Sequence, residues 1–306
     1  MRWGDFRRSE NVEDRTEGAP EGSGGGSGFP FGGLHIGGGA LIILVIVGML
    51  FGINPLEMLG LLSGGGGDGT VQQAPQTAPP GYGPQTGAPS TTTDVNKDFS
   101  AAILGDTEDV WGAIFKQMGS RYVPPKLVLY RGKTPSACGR AVAAVGPFYC
   151  PGDRDLYLDT TFFSELASRF GAPGEFAQAY VIAHEVGHHV QDELGITRKV
   201  DGMRSRISQT QANALSVRVE LQADCFAGVW AQHSQQSKHW LDPGDIEAAM
   251  NAAAKIGDDT LQRSAGRAVV PETFTHGSSA QRQKWFNAGY EGGAVKSCDT
   301  FNAKNL

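Results

Sequence analysis

Apolar residues recur at helical spacing in several separate stretches of this 306-residue chain. Ala177, Val181, Ile182, Val186 and Val190 form one such stripe, with no proline between Gly174 and Gly195, so a helix ending near Gly195 is expected. Leu215, Val219, Phe226, Val229 and Trp230 mark a second, longer helix over about 208–236. Phe99, Ile103, Val110, Trp111, Ile114, Phe115 and Met118 form a third pattern, with Asp106 and Asp109 as a helix start and Gly119 as its end. Shorter helices are expected over 160–170, 242–256 and 280–290. Apolar runs over 126–131, 141–145, 148–149 and 156–158 predict a small antiparallel sheet, with Asp155 to Asp159 as an edge strand able to take up an extended peptide.

The first third of the chain patterns differently. Residues 1–33 are polar, charged and then glycine-rich, which predicts a disordered tail. Residues 34–56 carry no charge and include Leu41 to Val47, about the apolar length that spans a bilayer core. A transmembrane helix is expected there. A cleaved signal peptide is the competing reading, but its charged region would be unusually long and no convincing cleavage site follows. Residues 57–95, rich in Gly, Pro, Gln, Thr and Ser, read as a linker. Arg2, Arg7, Arg8 and Arg15 precede the apolar stretch and the next basic residue is Lys97. The expected topology is therefore a single-pass cell-membrane protein with a cytoplasmic N-terminus and an extracytoplasmic (periplasmic) domain over 96–306.

Composition adds little except exclusions. Forty-three glycines and sixteen prolines, densest before residue 100, leave that region unable to build a core. A net charge of −6 with no basic tract gives no support to nucleic-acid binding. The four cysteines permit three pairings. Cys138 and Cys150 bracket an expected hairpin, which pairs them locally and leaves Cys225 with Cys298. No C-x-x-C spacing supports a cysteine-rich zinc site.

The chemistry concentrates in the two long helices. His184-Glu185-Val186-Gly187-His188 reads H-E-x-x-H; residues four apart share a helix face, so both imidazoles can reach one Zn²⁺ while Glu185 acts on a water at the metal. A catalytic zinc takes three protein ligands, and Glu220 on the second helix is the candidate third. Asp224, one turn further on, can accept the free ring N–H of a ligand histidine. Gln191 and Leu194 stand where a third-ligand extension of the first helix would need Gly and His. His189 points about 100° away from His188, which suits a capping or supporting role. Ala223, Ala227 and Gly228 would let the two helices approach closely. His276, ahead of the last helix, is the candidate for stabilising an oxyanion; Tyr290 is a weaker one, and a helix-capping role for His276 is the alternative.

With these residues in view the chain resembles the neutral zinc metallopeptidases, a family of membrane-anchored bacterial proteins. The resemblance rests on Asn11 to Arg15, Gly146 to Pro151, Ala179 to Gln191, Glu220 to Asp224, and His276 to Arg282 with Trp285 and Phe286. The Glu220-to-Asp224 spelling is also similar to that of heat-shock-type membrane zinc proteases. The resemblance implies a mainly helical α+β, zincin-like domain of the gluzincin kind that hydrolyses polypeptide substrates. A membrane-tethered binding or scaffold protein with a latent or structural zinc is the alternative function.

Overall fold

A computed structural model describes residues 1–16, 91–142, 146–170 and 174–306. Its helices are α1 (Thr91–Gln117), α2 (Phe162–Phe170), α3 (Glu175–Glu193), α4 (Ile196–Arg204), α5 (Gln209–Lys238), α6 (Asp245–Lys255), α7 (Asp258–Ser264) and α8 (Ser279–Gly292). The strands are β1 (Val12–Arg15), β2 (Lys126–Tyr130), β3 (Lys133–Ser136), β4 (Gly139–Val142), β5 (Phe148–Cys150) and β6 (Asp155–Asp159).

The sheet differs from the antiparallel one expected. It is mixed, in the order β1-β2-β6-β5, with β1, β2 and β6 mutually parallel and only β5 antiparallel to its neighbour. Strands β3 and β4 form a separate hairpin. Leu127, Leu129, Leu156 and Leu158 face the main helical core, while Val128, Tyr130 and Tyr157 face a smaller cluster with Phe148 and Cys150. Both faces are buried, as parallel strands require. Strand β6 lies inside the sheet, so it is not the edge expected from sequence; β5 is.

The N-terminus is the second correction. Residues 1–16, read from sequence as disordered, are fastened to the domain. Phe6 is buried against Trp240, Trp3 packs edge-on to Phe99, and β1 pairs with β2 from Val12–Leu127 to Arg15–Tyr130. Glu108, itself buried, receives hydrogen bonds from Arg7, Ser9 and Asn11. This overturns the single-pass topology. Val12–Arg15 precedes the apolar stretch 34–56 and Lys126–Tyr130 follows it; adjacent strands cannot sit on opposite sides of a bilayer core about 30 Å thick. Among the described residues no helix is long and apolar enough to cross a membrane. The expected span 34–56, and the tail and linker over 17–33 and 57–90, lie outside the described residues.

Helix α1 begins at Thr91 and runs through Asp106 instead of starting there. Asp106 is buried because it has partners: it accepts from Trp230 Nε1 at 2.8 Å and from Lys238 Nζ at 2.5 Å. Both expected disulfides are formed. Cys138–Cys150 closes the β3–β4 hairpin onto β5, and Cys225–Cys298 ties α5 to the C-terminal segment.

Candidate metal centre

Helices α3 and α5 touch at Gly187 and Ala223. A Cβ on Gly187 would stand 2.9 Å from the Ala223 carbonyl oxygen, so only glycine permits this approach. Gly228 performs the same service for α5 against Phe286 of α8, not against α3 as expected. Because Ala223 is three residues from Glu220, the crossing carries Glu220 over the paired imidazoles. His184 Nε2 lies 3.3 Å from Glu220 Oε2, and His188 Nε2 lies 3.6 Å from Glu220 Oε1. One donor atom from each of the three residues falls within 4.8 Å of the others.

Each imidazole is turned so that Nε2 faces this point. Asp224 Oδ1 takes the Nδ1–H of His184 at 2.8 Å. Asp224 is fully buried and is held in turn by Tyr180 Oη at 2.5 Å and by Arg282, whose Nε and Nη2 both donate at 2.9 Å. On the other side, Gln191 Oε1 takes the Nδ1–H of His188 at 2.9 Å, while Gln191 Nε2 donates to the Val219 carbonyl at 2.7 Å and to Gln222 Oε1 at 3.1 Å. The donor groups are electrostatically coupled to their partners. Burial works against charge on His184, but the Asp224 carboxylate and the hydrogen bonds of Asp224 and Glu220 outweigh it and raise the imidazole to about 10. Burial also opposes ionisation of Glu220, yet His188 and His184 hold it well below the usual carboxylate range.

Glu185 sits beside this centre, partly exposed, with its carboxyl raised by loss of solvent, and Tyr149 on β5 lies near it. His276 and Glu220 lie close enough to bias each other's charge. Asp258 fixes His276: one carboxylate oxygen accepts the backbone N–H groups of Thr275, His276 and Gly277, and the other lies 3.3 Å from His276 Nδ1. His189 leaves the site altogether, donating from Nε2 to the Val123 carbonyl at 2.7 Å. Tyr290 stacks on Phe286.

Comparison with known proteins is consistent with this geometry. Residues 1–301 match the family described as "Putative neutral zinc metallopeptidase". The chain belongs to that family. YpfJ of Escherichia coli (strain K12), an uncharacterized protein, is 45% identical over 301 residues, covering 98% of this chain and 99% of its own. Rv2575 of Mycobacterium tuberculosis (strain ATCC 25618 / H37Rv), also uncharacterized, is 42% identical over 226 residues, covering 71% and 75%. No solved structure matches.

The donor set suits the zinc that a neutral zinc metallopeptidase implies: two imidazole nitrogens with fixed tautomers and one carboxylate, with Glu185 at hand. Five supporting residues were not assigned roles from sequence. Tyr180 and Gln191 carried a signal, being four before His184 and three after His188 on the same helix face. Gln222, Asp258 and Arg282 carried none, because their partners lie on other elements.

Proposed function

We propose that this chain is a zinc-dependent endopeptidase acting on polypeptides. The convergence of His184, His188 and Glu220 beside Glu185 carries the reading. Zinc held there would act as a Lewis acid, polarising a substrate carbonyl and acidifying a water. Glu185 is the base that takes the proton of the attacking water and passes it to the leaving amine; its raised carboxyl suits a group that must both accept and release. His276, whose Nδ1–H Asp258 takes, carries an Nε2–H in its protonated form, which Asp258 and Glu220 favour against burial, and that N–H would steady developing oxyanion charge. Strand β5 is a sheet edge packed against α3, which carries Glu185, and extended substrate would pair there.

The test is purified Glu185→Gln against an unstructured protein substrate. It should keep stoichiometric zinc and lose roughly 10²–10⁴-fold in turnover, whereas His184→Ala should lose the metal. Zinc-loaded wild type that never cleaves defeats the reading and leaves a binding protein with a structural zinc; a fully active Glu185→Gln removes Glu185 from the role of base.

A further inference from the structure

The hydrogen-bond chain behind His188 does not end at Gln191. Gln191 Nε2 donates to Gln222 Oε1 at 3.1 Å, and Gln222 Nε2 donates to the Cys298 carbonyl at 2.9 Å. Gln191 and Gln222 are 1% and 5% exposed, so water does not compete for these groups. Cys298 is fully buried and bonded through sulfur to Cys225, the residue after Asp224.

The direction of this chain matters. A carbonyl only accepts, so Cys298 forces Gln222 to present its amide nitrogen there and its oxygen to Gln191. Gln191 must then present nitrogen to Gln222 and oxygen to His188. His188 in turn carries its proton on Nδ1 and keeps the Nε2 lone pair for a metal. Reversing either amide would set two N–H groups against each other or turn an N–H toward Nδ1, which favours the tautomer that cannot ligate through Nε2. The Val219 carbonyl fixes Gln191 as well, so the outer part of the relay adds to an orientation already favoured.

We propose that Gln222 is a positioning residue for the metal ligand His188, and that the Cys225–Cys298 cross-link serves the metal centre by holding the carbonyl from which the relay takes its direction. Resting on the zinc-site reading above, this gives the second disulfide a role in metal affinity that the first, Cys138–Cys150, does not share.

Zinc dissociation constants of full-length protein, measured by chelator competition on samples of native far-UV circular dichroism, test it. Gln191→Leu should weaken binding about 10–100-fold, the usual cost of removing a ligand's outer partner. Gln222→Leu should weaken it roughly two- to tenfold, the equivalent of one net hydrogen bond. Joint alanine replacement of Cys225 and Cys298 should weaken it similarly and add little to Gln222→Leu, whereas the Cys138 and Cys150 pair should leave affinity unchanged. Thermal melts of the zinc-free proteins separate this from general loosening, which would lower stability without moving affinity. An unchanged constant in Gln222→Leu, or full additivity with loss of the cross-link, overturns the proposal. Should the cysteine variant not fold, Gln222→Leu decides alone, because both disulfides remain. Wild type that binds no zinc refutes the zinc-site reading instead.

Discussion

His188 and His189 are neighbours with opposite fates. His188 turns toward His184 and Glu220 in the candidate metal centre, while His189 is 1% exposed, bonded to the Val123 carbonyl and to Tyr149 Oη, with the rings of Tyr122 and Tyr149 edge-on to it. Burial keeps His189 neutral and lowers it to about 4, aided by the charge of Arg154. Its folded value lies below the unfolded one near 6.5, so its contribution is complete above about pH 6.5 and is lost as pH falls toward 4. The loss should approach about 3 kcal/mol, at 1.36 kcal/mol per pH unit of difference. Urea titrations at pH 7 and pH 4 should show it in wild type and a much smaller change in His189→Gln; matching acid losses would refute the assignment. The convergence of His184 and His188 was legible in the sequence because residues four apart share a helix face. The burial that separates His189 from them is set by Val123 and Tyr149, which are remote in the chain.

At the scale of elements, the α3–α5 crossing is the feature on which the centre depends. Gly187→Ala would gain up to about 1 kcal/mol of helix propensity but must push against the Ala223 backbone, at a typical overpacking cost of about 1–3 kcal/mol. Zinc affinity should fall because Glu220 moves with Ala223. Gly202→Ala in α4, where a Cβ meets nothing within 4 Å, is the matched control and should raise the melting temperature with affinity unchanged. If both variants bind zinc like wild type, the crossing does not set the site. Helices α3, α5 and α8 were readable because amphipathic period and stops agree over many residues. Helix α4 was not: only Val200 of its nine residues is buried, which leaves too faint a stripe. Strands β2, β4, β5 and β6 were found, β1 and β3 were not, and the pairing within the sheet was not. Val128 and Tyr157 alternate with leucines in either orientation, and nothing local states that Lys126–Tyr130 pairs in parallel with both Val12–Arg15 and Asp155–Asp159.

Over the whole molecule, the N-terminal sixteen residues belong to the domain's core. Phe6 alone should contribute about 1.5–3 kcal/mol by burial. With the loss of Trp3 packing and the β1 ladder, deletion of residues 1–16 should lower the melting temperature by roughly 5–10 °C, at 2–4 °C per kcal/mol for a domain of this size. An unchanged melt would show that the strap is ornamental. Sequence missed this strap because its apolar anchors, Trp3, Phe6 and Val12, are sparse among charges. Those charges are spent on specific partners: Arg8 on Asp98, Arg7 on Glu108 and Asp109.

The strap also decides what a break in the chain would mean. Asp14 and Lys97 meet at 3.0 Å, so the described residues on either side of 17–90 are held together on one body. A chain cut between residues 17 and 90 should yield two bands on a denaturing gel and a single particle by size exclusion, with zinc affinity unchanged.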